Sequence, residues 1–152
     1  PPSGIKATPM FRMPLVLLVP KECELKSAEE LWKRDPIEET LITVPSNQPI
    51  CRAFENGLAK LKVDWFSGIE VSTVEMLQAY VAGGYGIGVG VRVPGLTYHP
   101  RVRLLSLEGF EFVTFGVLWQ GRRTVLLEAF LKSVERLARK LAANGDAGLV
   151  QL

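Results

Sequence analysis

Histidine and cysteine, the side chains that most often carry nucleophilic, proton-transfer or metal chemistry, are almost absent from this chain: one histidine and two cysteines in 152 residues. His99 sits in Tyr98-His99-Pro100 with no acid placed to orient it, which reads as a loop histidine rather than a general base. Cys23 and Cys51 stand alone, without CxxC spacing, a pattern that favours reduced thiols over the alternative of a single disulfide. No Cys/His cluster has metal-ligand spacing, so neither a metal nor another cofactor is expected. No serine occupies a G-x-S-x-G elbow. Glu29-Glu30 and Glu38-Glu39 are adjacent pairs, whose side chains point to different faces, and they are expected in solvent rather than in a catalytic dyad. Trp32, Trp65 and Trp119 each lie within or beside apolar sequence, as packing residues do. The chain is not expected to be an enzyme.

Long hydrophobic runs are missing as well. The longest, Pro14 to Pro20, is far too short to span a bilayer. With no basic region before it and no small-residue cleavage site after it, it is not a signal peptide, and the expected location is the cytoplasm. Charge is nearly balanced: eighteen Lys/Arg against sixteen Asp/Glu leave +2, without the basic stripe that nucleic-acid binding requires. The one dense run, Glu135-Arg136 to Arg139-Lys140, mixes signs as a solvated helix face does. Internal repeats and low-complexity segments are absent. What remains is a composition 47% hydrophobic and 22% charged, enough to bury a core and too apolar for disorder.

The elements alternate. Leu15–Val19 is an unbroken apolar strand between prolines. Ser27 and Glu30 have capping-box spacing and open a short helix ending near Arg34, closed by Asp35-Pro36. Thr40–Val44 is β-branched and apolar, a second strand. Ser46 or Asn47 caps a helix with Pro49 in its first turn and Ile50, Phe54, Leu58 and Leu61 on one face. Phe66–Val71 is a third strand. Ser72 and Glu75 form another capping box, opening helix 73–82 with Val74, Leu77 and Val81 at helical spacing and Met76 and Tyr80 widening the stripe. Gly83 and Gly84 stop that helix through positive φ, and a strand over 86–91 follows. Because those glycines follow a helix and enter a strand, they are packing and turn residues, not a dinucleotide loop. Val102–Leu107 and Phe112–Trp119 are further strands. A last helix from Thr124 to Ala143 carries Leu127, Phe130, Leu131, Val134, Leu137, Ala138 and Leu141 on one stripe. Residues 1–9 and 144–148 are expected to be loosely held. The alternation predicts an α/β fold with a mainly parallel central sheet.

Val81-Ala82-Gly83-Gly84-Tyr85-Gly86-Ile87-Gly88-Val89 resembles the "V-x-x-G-x-G-[IV]-[GA]" signature in the effector-binding domain of LysR-type transcriptional regulators. The segment Pro14–Pro20 resembles that family's domain-crossing strand and Thr40–Val44 its "PLI" strand. Phe112–Gln120 and Ala129-Phe130-Leu131 resemble its closing strand and helix. The order covers residues 9–141 and departs at Gly90-Val91, where the family carries Leu-Pro. The resemblance implies a type II periplasmic-binding-protein-like fold in which two lobes are joined by crossing strands. It divides the chain into 1–20, a remnant of the first lobe with a crossing strand, 21–111, the second, effector-binding lobe, and 112–152, the return strand and C-terminal helix of the first. It also implies a truncated regulator, with most of the first lobe and an N-terminal winged helix-turn-helix missing, so that DNA is contacted only by the missing part.

In open α/β sheets ligands bind beyond the carboxyl ends of the strands, where helix N-termini gather. Two junctions have that character, Val44-Pro45-Ser46-Asn47-Gln48 and Val71-Ser72-Thr73. If their strands are neighbours, two amide-rich helix ends and four short polar side chains face one cleft, which suits a carboxylate or phosphate. For any one of these residues, capping alone is the competing reading. The resemblance implies that an effector lies between the lobes and touches Ser46, Asn47 and Ser72, with Thr43, Glu70 and Thr73 beside them. Its closure of the lobes would alter the geometry of a tetramer and its DNA-binding heads. A lobe of a periplasmic-type solute-binding protein, or an α/β enzyme on the same scaffold, are the alternatives. A helix stripe with little local sequence to cover it predicts self-association as a two-fold dimer through the last helix and the edge of Leu15–Val19 or Phe112–Trp119, against a compact monomer in which the helix folds back.

Overall fold

The computed structural model describes residues 3–143, which gather into two compact units. The larger comprises Pro14–Arg92 and Thr97–Val113. It contains β2 (Leu15–Pro20), α1 (Glu29–Trp32), β3 (Leu41–Thr43), α2 (Pro49–Leu61), β4 (Ser67–Glu70), α3 (Val74–Ala82), β5 (Ile87–Val91) and β6 (Val102–Ser106). The smaller contains β1 (Ile5–Met13), all but the first residue of β7 (Val113–Gln120), and α4 (Val125–Ala143).

The larger unit is built on one sheet of order β4-β3-β5-β2-β6. β3 is parallel to both β4 and β5, while β2 is antiparallel to both β5 and β6. Four strands therefore share a direction, and β2 opposes them. Leu15 to Val19 are at most 2% exposed, because β2 is paired along both sides and covered on both faces. An unbroken apolar strand is stable only in such a place. The expectation that Leu15–Val19 offers an open edge for strand addition is thereby corrected.

One face of the sheet packs on α3: Val16, Leu18, Ile42 and Val44 meet Leu77 and Val81. Burying each such side chain stabilises the fold by about 1.5–3 kcal/mol before the entropy of ordering it is counted. Val74, Met76 and Tyr80 are 44%, 42% and 36% exposed, so Val74 drops out of the expected stripe, and Met76 and Tyr80 do not widen it. A nine-residue helix on one sheet buries a narrow stripe, and Leu77, Val81 and Ala82 fill it. α2 buries Cys51, Phe54 and Leu58 and joins an aromatic cluster in which Trp32, Phe54, Trp65 and Phe110 pack with centroids 5.7–6.2 Å apart. Ile50 is only partly buried and Leu61 is 48% exposed.

The glycine segment does what its order in the chain indicates. Gly83 ends α3 at an ordinary φ of −78°, and Gly84 alone takes the left-handed φ of +79°. At Gly86 a Cβ would overlap the Thr40 carbonyl oxygen, so only glycine lets β5 enter the sheet beside β3.

In the smaller unit β1 pairs with β7 in a two-stranded sheet. Met10 buries against Leu131 and Ala138 of α4, flanked by Phe11, Val117, Leu127 and Val134. Phe11 stacks on Phe115 at 5.9 Å, and the Trp119 indole N–H donates to Thr8 Oγ1 at 3.2 Å. Residues 5–9 are part of β1, not a loose end, because β7 supplies their ladder. Thr124 accepts from the Leu127 amide at 3.2 Å and so caps α4. Phe130 and Leu137 are 53% and 58% exposed, so the predicted stripe divides into a face on β1 and a face in solvent. The Leu141 side chain and residues 144–148 lie outside what is described.

Candidate functional site at the strand ends

The register of β3 and β4 sets the two polar junctions side by side. Thr43 pairs with Glu70 in the parallel ladder, and the Val71 amide donates to the Thr43 carbonyl at 2.9 Å. Chain leaving β3 enters α2, and chain leaving β4 enters α3. The condition set by the sequence, that these strands be neighbours, is met.

The helix starts differ from the expected caps. Gln48, in extended conformation, precedes α2 without a side-chain cap, and Pro49 occupies the first turn. Proline is tolerated there because its missing N–H has no intrahelical partner to lose. Neither Ser46 nor Asn47 caps the helix, since a turn closed by Gln48 N–H to the Pro45 carbonyl (2.9 Å) holds both ahead of the N-cap, which is Gln48. Both are exposed, and the Arg52 guanidinium donates to the Asn47 carbonyl at 3.0 Å. At α3 the cap is Thr73, whose Oγ1 accepts from the Met76 amide at 3.2 Å. The Ser72 hydroxyl donates to the Met76 sulfur at 3.5 Å, a weak acceptor. The Ser72–Glu75 box is replaced by this single cap one residue on. The Ser27–Glu30 box is likewise absent: Ala28 precedes α1 without a side-chain cap. A hydrogen bond from Ser27 instead lowers the Glu29 carboxyl below its ordinary range.

Thr43, Ser46 and Glu70 line a cleft of about 380 Å³ beside α2. Asn47, Ser72 and Thr73 stand outside its wall, so the six expected residues divide three and three. Thr43 and Leu41 share the strand face that looks onto α2, whereas Ile42 turns to α3. Thr43 is 7% exposed, and its hydroxyl lies 2.7 Å from that of Ser67. A register shift between Leu41 and Ile42, which pairs Leu41 with Ser67 and Ile42 with Ile69, makes that meeting fit. Cys51 donates its thiol proton to the Val44 carbonyl at 3.0 Å. Burial, and then the negative charges of Glu55 and Glu70, push that thiol above its ordinary pKa. Glu55, Asp64 and Ser67 complete the polar lining and were not foreseen. Glu55 carried a signal, being one turn beyond Cys51 on the same helix face. Ser67 carried none, because the register shift that brings it to Thr43 cannot be read from sequence.

The catalytic alternatives find no support in the geometry. His99 is exposed and its Nδ1 accepts from the Arg101 amide at 3.1 Å. Glu39 pairs with Arg34. Among the described residues no group of His, Cys, Asp and Glu is arranged to hold a metal, and no helix is long and apolar enough to cross a membrane.

Residues 1–139 match the family model described as LysR substrate binding domain. The chain belongs to the LysR substrate-binding domain family. Solved structures share its fold. HinK, a LysR family transcriptional regulator from Pseudomonas aeruginosa, matches with a TM-score of 0.76 at 18% identity, over 91% of this chain and 50% of that one. The Synechocystis CcmR regulatory domain in complex with 2-PG matches at 0.72 and 20% identity, over 91% and 70%. The effector binding domain of QuiR in complex with shikimate matches at 0.71 and 17%, over 91% and 68%. The chain thus spans about half the length of HinK. No curated relative matches it. The fold is the type II periplasmic-binding-protein-like one, and membership in a regulator's substrate-binding family gives no support to the periplasmic alternative.

Proposed function

We propose that the chain is the effector-sensing part of a LysR-type transcriptional regulator, and that it binds a small anionic metabolite at the junctions after β3 and β4. The observation that carries this reading is the LysR substrate-binding match over residues 1–139. It is supported by two strand-to-helix junctions that the β3–β4 ladder sets side by side, each leading into an amide-rich helix end with partial positive charge. The Arg52 cation beside Asn47 adds to that charge, and the Ser72 hydroxyl is not spent on capping. CcmR and QuiR relatives solved with 2-PG and with shikimate agree with a small-molecule effector. Asn47 and Ser72 are the side-chain contacts on this reading, Thr73 offers its backbone amide while its hydroxyl caps α3, and Ser46 lies at the margin shared with the α2 cleft. Thr43 and Glu70 stand behind them.

The reading extends to the whole protein. The domains run 1–20, 21–111 and 112–152; the chain has no turnover and no sequence-specific DNA binding of its own, and it works in the cytoplasm. Family membership supports the absence of turnover and of DNA binding and the cytoplasmic setting. It forms a two-fold dimer through the solvent face of α4, where Leu126, Phe130 and Leu137 are 80%, 53% and 58% exposed, together with β7, where Leu118 is 66% exposed. Full-length chains assemble as tetramers, with DNA held by a helix-turn-helix outside these residues. Thermal-shift screening of small carboxylates, with Ser46→Ala and Ser72→Ala beside the wild type, tests the site. A stabilising carboxylate that loses its effect in Ser72→Ala is expected. Equal stabilisation of all three proteins would place the site elsewhere.

A further inference from the structure

The cleft beside α2 has a composition opposite to that of an anion site. Its floor is apolar, formed by Leu41, Phe54, Leu58 and Trp65, each at most 6% exposed. Its polar lining includes Glu55, Asp64 and Glu70, and neither lysine nor arginine lines it. A concavity of about 380 Å³ with an apolar base and a few convergent polar groups is the usual form of a small-molecule site. We propose that this cleft binds a small organic cation, an ammonium group carried on an aromatic or aliphatic body.

The body would lie on Phe54 and Leu58, and the ammonium would donate to the carboxylates at the rim. An isolated metal ion fits poorly, since no metal-holding group of acidic, cysteine or histidine side chains exists among the described residues and the apolar floor would be left bare. A small anion meets three carboxylates and no cation. The Cys51 thiol lies in the wall of the cleft, its pKa raised first by burial and then by the charges of Glu55 and Glu70. The hydroxyls of Thr43 and Ser67 share a hydrogen bond at 2.7 Å and Ser67 also donates to the Ile69 carbonyl at 3.2 Å; being neutral, they do not set the charge of the guest. The proposal does not depend on the anion site. It gives the domain a second input, with α2 and the β3–α2 junction common to both.

Benzylamine is the probe, with benzyl alcohol and benzoate as neutral and anionic matches of the same body. Binding is followed by amide chemical-shift titration of the 152-residue chain and by protection of Cys51, relative to Cys23, from a thiol reagent. Benzylamine should shift amides of α2 and β4 and slow Cys51 labelling. Glu55→Gln with Glu70→Gln should weaken it about tenfold, a factor equivalent to about 1.4 kcal/mol, while its thermal transition stays close to wild type because both side chains are exposed. Benzyl alcohol should bind about tenfold more weakly, and benzoate more weakly still. Equal binding of benzoate and benzylamine, equal binding to the doubly substituted chain, or no amide shifts at α2 with millimolar benzylamine would each overturn the proposal. Should the double variant lose its fold, Asp64→Asn alone must weaken benzylamine or the proposal fails.

Discussion

Replacing Thr73 and Ser72 in turn separates a structural hydroxyl from one left for a ligand. The Thr73 side chain accepts the Met76 amide at 3.2 Å and occupies the N-cap in extended conformation. Removing an N-cap hydroxyl costs about 0.5–2 kcal/mol. This cap is exposed to water, which can take over part of the lost hydrogen bond, so the cost for Thr73→Ala should be about 1 kcal/mol. The helix it starts brings Leu77 and Val81 to the central sheet, so fraying there is felt by the whole larger unit. In a chain of this length that corresponds to roughly 2–4 °C in Tm. Thr73→Ser keeps the acceptor and should stay within about 0.5 kcal/mol. Ser72→Ala gives up only a 3.5 Å contact to the Met76 sulfur and should also stay within about 0.5 kcal/mol, as exposed substitutions without a specific role do. In ligand binding the order should reverse, with Ser72→Ala losing about 1 kcal/mol, roughly fivefold, of carboxylate affinity for one neutral hydrogen bond. Urea unfolding followed through the buried Trp65 gives the stabilities, and calorimetry with the best carboxylate from screening gives the affinities. If Ser72→Ala proves the costlier fold variant and Thr73→Ala is silent, the cap assignment and the ligand role built on it both fall.

Gly86→Ala drives a methyl group into the Thr40 carbonyl, where backbone and not a flexible side chain must yield, and should destabilise by at least about 2 kcal/mol; a neutral result in denaturant unfolding would contradict the β5–β3 packing described. Phe130→Asp with Leu137→Asp, on the solvent face of α4, should convert a dimer to a monomer by light scattering at tens of micromolar without loss of the folded circular-dichroism spectrum. A wild-type monomer at that concentration would remove the dimer. The folded-state pKa of Cys51 is raised, so its contribution to stability is present below the unfolded thiol value and is lost as pH rises through the folded one. Stability should therefore fall at alkaline pH less steeply in Cys51→Ala, and equal slopes would exclude this origin.

The sequence determined the elements whose cause is local. An unbroken apolar run between Pro14 and Pro20 has no stable home but the middle of a sheet, and there it is. Val74–Ala82 and Val125–Ala143 are helices where 3.6-residue periodicity puts them, and glycines after a helix pack and turn as their order requires. Those patterns, in that order, also sufficed for the family. Tertiary structure alone decided which faces of the helices are used, because an apolar residue is buried only where another element comes to cover it. Met76, Tyr80, Phe130 and Leu137 have the right periodicity and remain in solvent. It decided β1, whose residues Lys6, Thr8, Pro9 and Arg12 suggest no strand and are held as one by pairing with β7. It moved the α3 cap from Ser72 to Thr73, a one-residue difference that depends on where the chain leaving β4 bends. The α2 cleft was the least legible part of the molecule. Thr43, Glu55, Asp64, Ser67 and Glu70 are spread over twenty-eight positions of sequence, and only the parallel pairing of β3 with β4 under α2, with its shifted register, makes them neighbours.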